Sequence, residues 1–221
     1  VVIGMRYLLH EHIYPLLFTD VGMVDVDCDR LLRVYEMTLC RYTRDVRLAA
    51  YCALMLPLAH TDSSVAKETP VMLALRDGLK LPSRDYQLIT KLVDGITSMK
   101  RCDVNCPVSV GRAIISLGEH YQLSCLLADC HDYLHNSSDT IDTPIYNQFT
   151  GAARRYNLSE CHSMKPLVSG DDIKQLFSLG YKDGKRIGAI LRQAVDIQLT
   201  VPSISRDALL ERLRKEMSTA E

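Results

Sequence analysis

Tryptophan is absent from this chain and phenylalanine occurs only three times. The interior must therefore be built from Leu, Val, Ile, Ala and Met. No stretch alternates apolar and polar residues with a period of two, which argues against a sheet-based core. Internal repeats and low-complexity tracts are not evident. No apolar run reaches the roughly 18–20 residues that a spanning helix needs, and no signal-peptide pattern opens the chain. The sequence begins directly on Val1-Val2-Ile3-Gly4-Met5, without an initiator-like start, as expected of a fragment of something longer. An excess of either charge sign is missing too. The formal net charge is −1, so there is no global basic signal for nucleic acid.

A length of 221 residues and a hydrophobic content of 47% allow one or two domains with a sizeable core and exclude a disordered chain. The charge is unevenly spread. Residues 154–221 carry 12 Lys/Arg against 9 Asp/Glu, whereas residues 1–153 carry 14 against 18. The C-terminal end is the one that suits an anionic partner. Eight cysteines are scattered along the chain, and most fall inside helical patterns, so they read as reduced, buried thiols of an intracellular protein.

Helical periodicity runs through the chain. A first helix is expected over 1–18, carrying Ile3, Tyr7 and Leu8 and ending near Pro15. Asp27 or Asp29 starts a second, with Leu31, Leu32, Tyr35 and Leu39 as its apolar stripe. Asp45 caps a third, apolar nearly all round and expected at the centre of the core, which Pro57 stops. Pro70 opens a helix to Gly78, Ser83 caps the next, and Ser109 begins one that Gly118 interrupts. Helices follow over 120–135 and 141–156, then a long one to about Leu199 and a last one over 205–217. The fold class is all-α.

Residues 166–198 concentrate the chemistry. Ser169 is placed to cap a short helix whose first turn holds Asp171 and Asp172, where negative charge suits the helix dipole. Gly180 is expected to end that helix in the left-handed conformation, and Asp183 to cap the next. Lys185 and Arg186 then fall in the first turn of that next helix, which its own dipole disfavours. Basic side chains beside unpaired N–H groups make sense if an anion docks there, a phosphate above all. Gly184 and Gly188 would let a backbone approach closely.

Four other patterns tempt a chemical reading. Asp25-Val26-Asp27 could bind two metals from a strand, but it abuts a helix start, and capping is the simpler role. His131-Asp132-Tyr133-Leu134-His135 imitates a zincin or a metal-dependent HD phosphohydrolase motif, with His120 or Asp142 as further partners. Without a third ligand it reads as a solvated helix end, and His60-Thr61-Asp62 as a polar loop. Cys102 and Cys106 lack the second pair a zinc site needs.

The stretch Pro166, Leu167, Ser169, Gly170, Asp172 and Ile173, followed by Gly184, Lys185, Ile187 and Gly188, resembles the C-terminal pattern of class II tRNA nucleotidyltransferases. These are the CCA-adding enzymes and their poly(A) polymerase relatives. Leu56-Pro57, Pro70-Val71, Arg76-Asp77-Gly78-Leu79-Lys80-Leu81 and Gly111-Arg112-Ala113-Ile114 through Leu117-Gly118 extend the likeness to the eukaryotic form, with Asp77 where that pattern has Glu. The resemblance implies an elongated helical array: neck helices over 1–60, a body over 61–157 and a tail over 158–221. It implies tRNA, or another structured RNA, as partner, and Lys182, Gly184, Lys185, Arg186, Gly188, Arg112 and Arg76 as phosphate contacts. No catalytic residue or cofactor is expected in this chain. The family's Gly-Gly-x-Val-Arg-Asp turn, metal-binding Asp-x-Asp and nucleotide-templating Glu-Asp-x-x-Arg do not occur here, so magnesium and CMP/AMP transfer belong to a head domain. A mitochondrial, cytoplasmic or nuclear location goes with it. A non-catalytic RNA-binding subunit of a larger particle, or an HD-like phosphohydrolase, are the alternative readings.

Overall fold

The computed structural model describes residues 2–14, 18, 26–59, 68–136 and 139–218, and among them every regular element is helical. The α-helices are α1 (Val2–His10), α2 (Cys28–Arg41), α3 (Val46–Leu54), α4 (Pro70–Leu73), α5 (Ser83–Arg101), α6 (Pro107–Leu117), α7 (Tyr121–His135), α8 (Pro144–Arg155), α9 (Gly170–Phe177), α10 (Gly184–Thr200) and α11 (Arg206–Ser218). The chain divides into two units. One comprises Val1–Cys102 with His120–Thr150, the other Asp103–Glu119 with Gly151–Glu221. Helix α6 thus groups with the C-terminal segment, across a long stretch of sequence.

In the first unit α3 is the core helix, as its composition requires. Every residue from Leu48 to Leu54 is buried, and Asp45 caps it by accepting the Leu48 N–H at 2.9 Å. Asp27 does the same for α2, accepting from Arg30 at 2.9 Å. The inner face of α2 is Leu31, Val34, Tyr35 and Thr38, while Leu32 and Leu39 are half-buried. Helix α1 corrects the expectation of a longer helix with Ile3 and Tyr7 inward. It stops at His10, Leu9 is its buried residue, and Ile3 and Tyr7 are 86% and 61% exposed. Pro15, Asp25 and the 60–62 loop lie outside the described residues.

Pro70 opens α4 with Thr69 capping it, and the turn continues as a π-helical segment over Ala74–Gly78. Ser83 is the first residue of α5 rather than its cap, because Pro82 precedes it and no side chain caps this end. Pro107 takes the first position of α6, two residues before Ser109. Gly118, at φ +76°, ends α6, and a short 3-10 turn leads into α7. Helix α8 starts at Pro144, three residues later than expected. Its cap is remote in sequence: the buried Asp129 of α7 accepts the N–H groups of Ile145 at 3.0 Å and Tyr146 at 2.8 Å.

In the second unit α9, α10 and α11 share one apolar seam of Val168, Ile173, Ile187, Ile190, Ala194, Ile197, Leu209 and Leu213. Helix α10 also lies against α6, and the approach is close. A Cβ built on Gly111 would fall 2.5 Å from Leu199 Cδ2. Gly111→Ala should therefore lower the stability of this unit by about 1–3 kcal/mol, the usual cost of overpacking, seen as a lower midpoint in thermal or denaturant unfolding. An unchanged midpoint would show that α6 and α10 can part without cost.

Candidate nucleic-acid interface

The residues expected to hold phosphate gather, with one exception, in the second unit. Ser169 caps α9 through a reciprocal capping box. Its hydroxyl accepts the Asp172 N–H at 3.2 Å while Asp172 accepts the Ser169 N–H at 2.7 Å. The Asp172 carboxyl is held below the usual carboxylate range, first by the Ser169 backbone N–H, then by the Ser169 hydroxyl and the Arg206 guanidinium. Arg206 reaches it at 2.6 Å and ties the start of α11 to the start of α9. The stabilisation from Asp172 is present above the ordinary carboxylate pKa and is lost as pH falls below it.

Two expectations about the turn are corrected. The left-handed residue that ends α9 is Ser178, at φ 52° and ψ 38°, while Gly180 is extended at φ −88° and ψ 179°. Asp183 does not cap α10. Its carboxylate turns back to accept the Gly180 N–H at 2.8 Å, closing the 3-10 turn over Tyr181–Asp183. Helix α10 consequently starts with no side-chain cap and no acidic residue in its first turn. The backbone donors of that turn have no partner within α10 itself, the preceding 3-10 turn Tyr181–Asp183 leads straight into them, and the helix dipole adds positive potential there.

Gly184, Lys185 and Arg186 form this first turn and are exposed, as is Lys182 in the turn before it. A Cβ on Gly184 would meet nothing within 4 Å, so no neighbour in this chain demands a glycine at that position. Gly188, half-buried one turn on, would bring a Cβ 3.7 Å from Arg192 Nη1, an ordinary contact. Three carboxylates of this unit have partners other than Lys182 and Lys185. Asp171 pairs with Lys174 at 2.8 Å, Asp172 with Arg206, and Asp183 with a backbone N–H. Among the described residues no ion pair holds Lys182 or Lys185.

Arg112 and Arg76 stand differently. Arg112 of α6 forms a two-pronged ion pair with Asp196 of α10, with Nε 2.8 Å from Oδ1 and Nη2 on Oδ2. Arg76 belongs to the first unit. It is bound by both oxygens of Asp77 at 2.8 Å and by Glu68 at 2.6 Å. Those hydrogen bonds, Asp77 first, push the guanidinium pKa further up. A phosphate would have to displace a carboxylate at either residue. The Arg112–Asp196 pair joins residues 84 apart, and nothing in the spacing of the sequence announces it.

The motifs read as possible metal sites are also placed. His131 is buried and stacks on His135 at 4.2 Å. The Lys100 ammonium lies 3.0 Å from His131 Nδ1 and 2.6 Å from Asp132 Oδ1, so both acceptors already have a cation. Tyr42 Oη meets His120 Nδ1 at 2.6 Å. Cys102 and Cys106 are not in a disulfide. Among the described residues no group of three or more His, Cys, Asp or Glu could hold a metal ion, and no helix is long and apolar enough to cross a membrane. No protein-family model, curated protein or solved structure matches this chain.

One buried side chain fixes the approach to the turn. Gln198 of α10 is 4% exposed. Its amide oxygen accepts the Leu167 N–H at 3.2 Å, and its amide nitrogen donates to the Lys165 carbonyl at 3.0 Å. It thereby holds 165–167, the segment leading into α9, along α10. Gln198→Leu leaves a donor and an acceptor unpaired and should cost about 1–3 kcal/mol, measured by denaturant unfolding. Equal stability would mean that solvent replaces both bonds freely.

Proposed function

We propose that this chain is the tRNA-binding neck, body and tail part of a CCA-adding tRNA nucleotidyltransferase, and that the start of α10 grips the sugar-phosphate chain of the folded RNA. The observation that carries the binding half of this reading is the uncapped first turn of α10. It puts two exposed basic side chains on a helix end that repels them, an arrangement that an anion relieves. The motifs quoted from 166–188, 76–81 and 111–118 supply the family.

Contacts from backbone N–H groups and lysine to phosphate oxygens fix position without reading sequence. That suits a partner known by shape, since double-helical RNA offers side chains little sequence information in its deep groove. Lys182 and Lys185 lie closest to this role. Arg186 extends it into the same turn, with Gly184 giving access to the backbone. Arg112 contributes only when Asp196 releases it. Nucleotide transfer itself, an in-line attack on an α-phosphate with magnesium, falls to a head domain that this sequence does not contain. The part played here is to bind and orient the acceptor RNA.

Fluorescence anisotropy with a structured tRNA tests this. Affinity should fall steeply with salt, because each phosphate contact releases counterions. The double variant Lys185→Ala/Arg186→Ala should bind about tenfold more weakly, with a salt slope lower by about 1–2. Arg112→Ala should do less, since Asp196 already neutralises that guanidinium. A salt-independent affinity, or a double variant indistinguishable from the parent, would overturn the reading.

A further inference from the structure

The first unit contains a second device, independent of RNA. His131 is 5% exposed and lies near the end of α7, beside the last turn of α5. Lys100 Nζ is 3.0 Å from its Nδ1. An ammonium has only donors to offer, so Nδ1 is the acceptor and the ring proton sits on Nε2. The Ala59 backbone favours the protonated ring, and with Nδ1 facing the ammonium the ring nitrogen left for it is Nε2. Ala59 follows the 3-10 turn Leu56–Leu58, in which Leu56 and Leu58 are buried. The Lys100 contact sets this tautomer, with Nδ1 as the acceptor. His135 lies flat against the ring at 4.2 Å and 17°, and its Nδ1 meets the His131 carbonyl at 2.9 Å.

The charges acting on His131 are Lys100 on α5 and His135 and Asp132 on α7. Asp132 accepts from the same ammonium at 2.6 Å. Asp129, one half-turn earlier on α7, is turned to the N–H groups of Ile145 and Tyr146.

We propose that Lys100 and His131 form a proton-operated clasp: neutral His131 fastens the end of α5 to α7, and a proton arriving at Nδ1 expels the Lys100 ammonium and loosens that joint. The Nδ1 lone pair holds one partner. A proton taken from solvent forms the Nδ1–H bond and breaks the Lys100 N–H···Nδ1 hydrogen bond, and Lys100 keeps Asp132. The product is an imidazolium, nearly shut from water, facing an ammonium. Burial first, then Lys100 and His135, push the proton affinity of His131 down to about 4. The ordinary value in an unfolded chain is about 6.5. The folded value is the lower one, so the clasp contributes fully above about 6.5 and its contribution is lost as pH falls from there through about 4.

Nitrogen-15 NMR of the imidazole rings in the intact chain tests the clasp directly. His131 should be the Nε2–H tautomer at neutral pH. It should titrate far below an exposed histidine, and the amides at the end of α5 should shift with it. Lys100→Gln keeps a donor and removes the charge, and should raise the titration midpoint of His131 by about one pH unit. The acid-induced fall in thermal midpoint should shrink accordingly. An Nδ1–H tautomer, a titration near 6.5 in the unaltered chain, or an unmoved midpoint in Lys100→Gln would each overturn the proposal. The first two are read without any variant, so a substitution that fails to fold does not shield it.

Discussion

Helix α10 meets two demands along a single axis. One face must bury Ile187, Ile190, Ala194 and Ile197 against α9 and α11, and Leu199 must press on Gly111 of α6. The burial of this stripe fixes where the helix begins. It therefore fixes where Gly184, Lys185 and Arg186 stand. Full burial of one aliphatic side chain contributes about 1.5–3 kcal/mol. Basic residues in a helix's first turn cost about 0.3–1 kcal/mol. The seam can hold the helix start in an electrostatically poor position, and that poor position is what an anion improves.

Three carboxylates of this unit are committed within it. Asp183 spends its carboxylate on Gly180, Asp172 on Ser169 and Arg206, and Asp171 on Lys174. Gln198 ties the segment leading into α9 to the last turn of α10. None of those carboxylates is paired with Lys185. In the first unit the same kind of accounting gives the opposite result. Lys100 is drawn onto His131 and Asp132, and a sequence motif that imitates a metal site is satisfied by an internal ammonium.

Asp45 and Ser169, and Asp27 as one of two candidates, were legible as caps because each acts within three residues. Ser83 and Asp183 had the same residue type and spacing and do not cap, and Thr69 caps α4 unannounced. The all-α class followed from periodicity, and the burial of α3 from its unbroken apolar composition. What escaped was whatever depends on distant partners. Asp129 caps α8 from another helix, Arg112 finds Asp196, and Lys100 finds His131, none of which local spacing encodes. Ser178, rather than Gly180, takes the left-handed position because the Leu179 N–H returns to the Lys174 carbonyl at 3.0 Å, placing the reversal two residues earlier than glycine suggests. Of the proposed phosphate contacts, the four residues 182 and 184–186 lie in one exposed stretch, as their adjacency required. The state of Arg112 and Arg76, both held by carboxylates, needed three dimensions.

The most direct measurement of the central claim is an amide-resolved NMR titration of the chain with a structured tRNA. The account predicts that the earliest and largest shifts occur at Gly184, Lys185 and Arg186, and that added salt reverses them. Shifts confined to other residues, or a first turn of α10 that does not respond at saturating RNA, would contradict it.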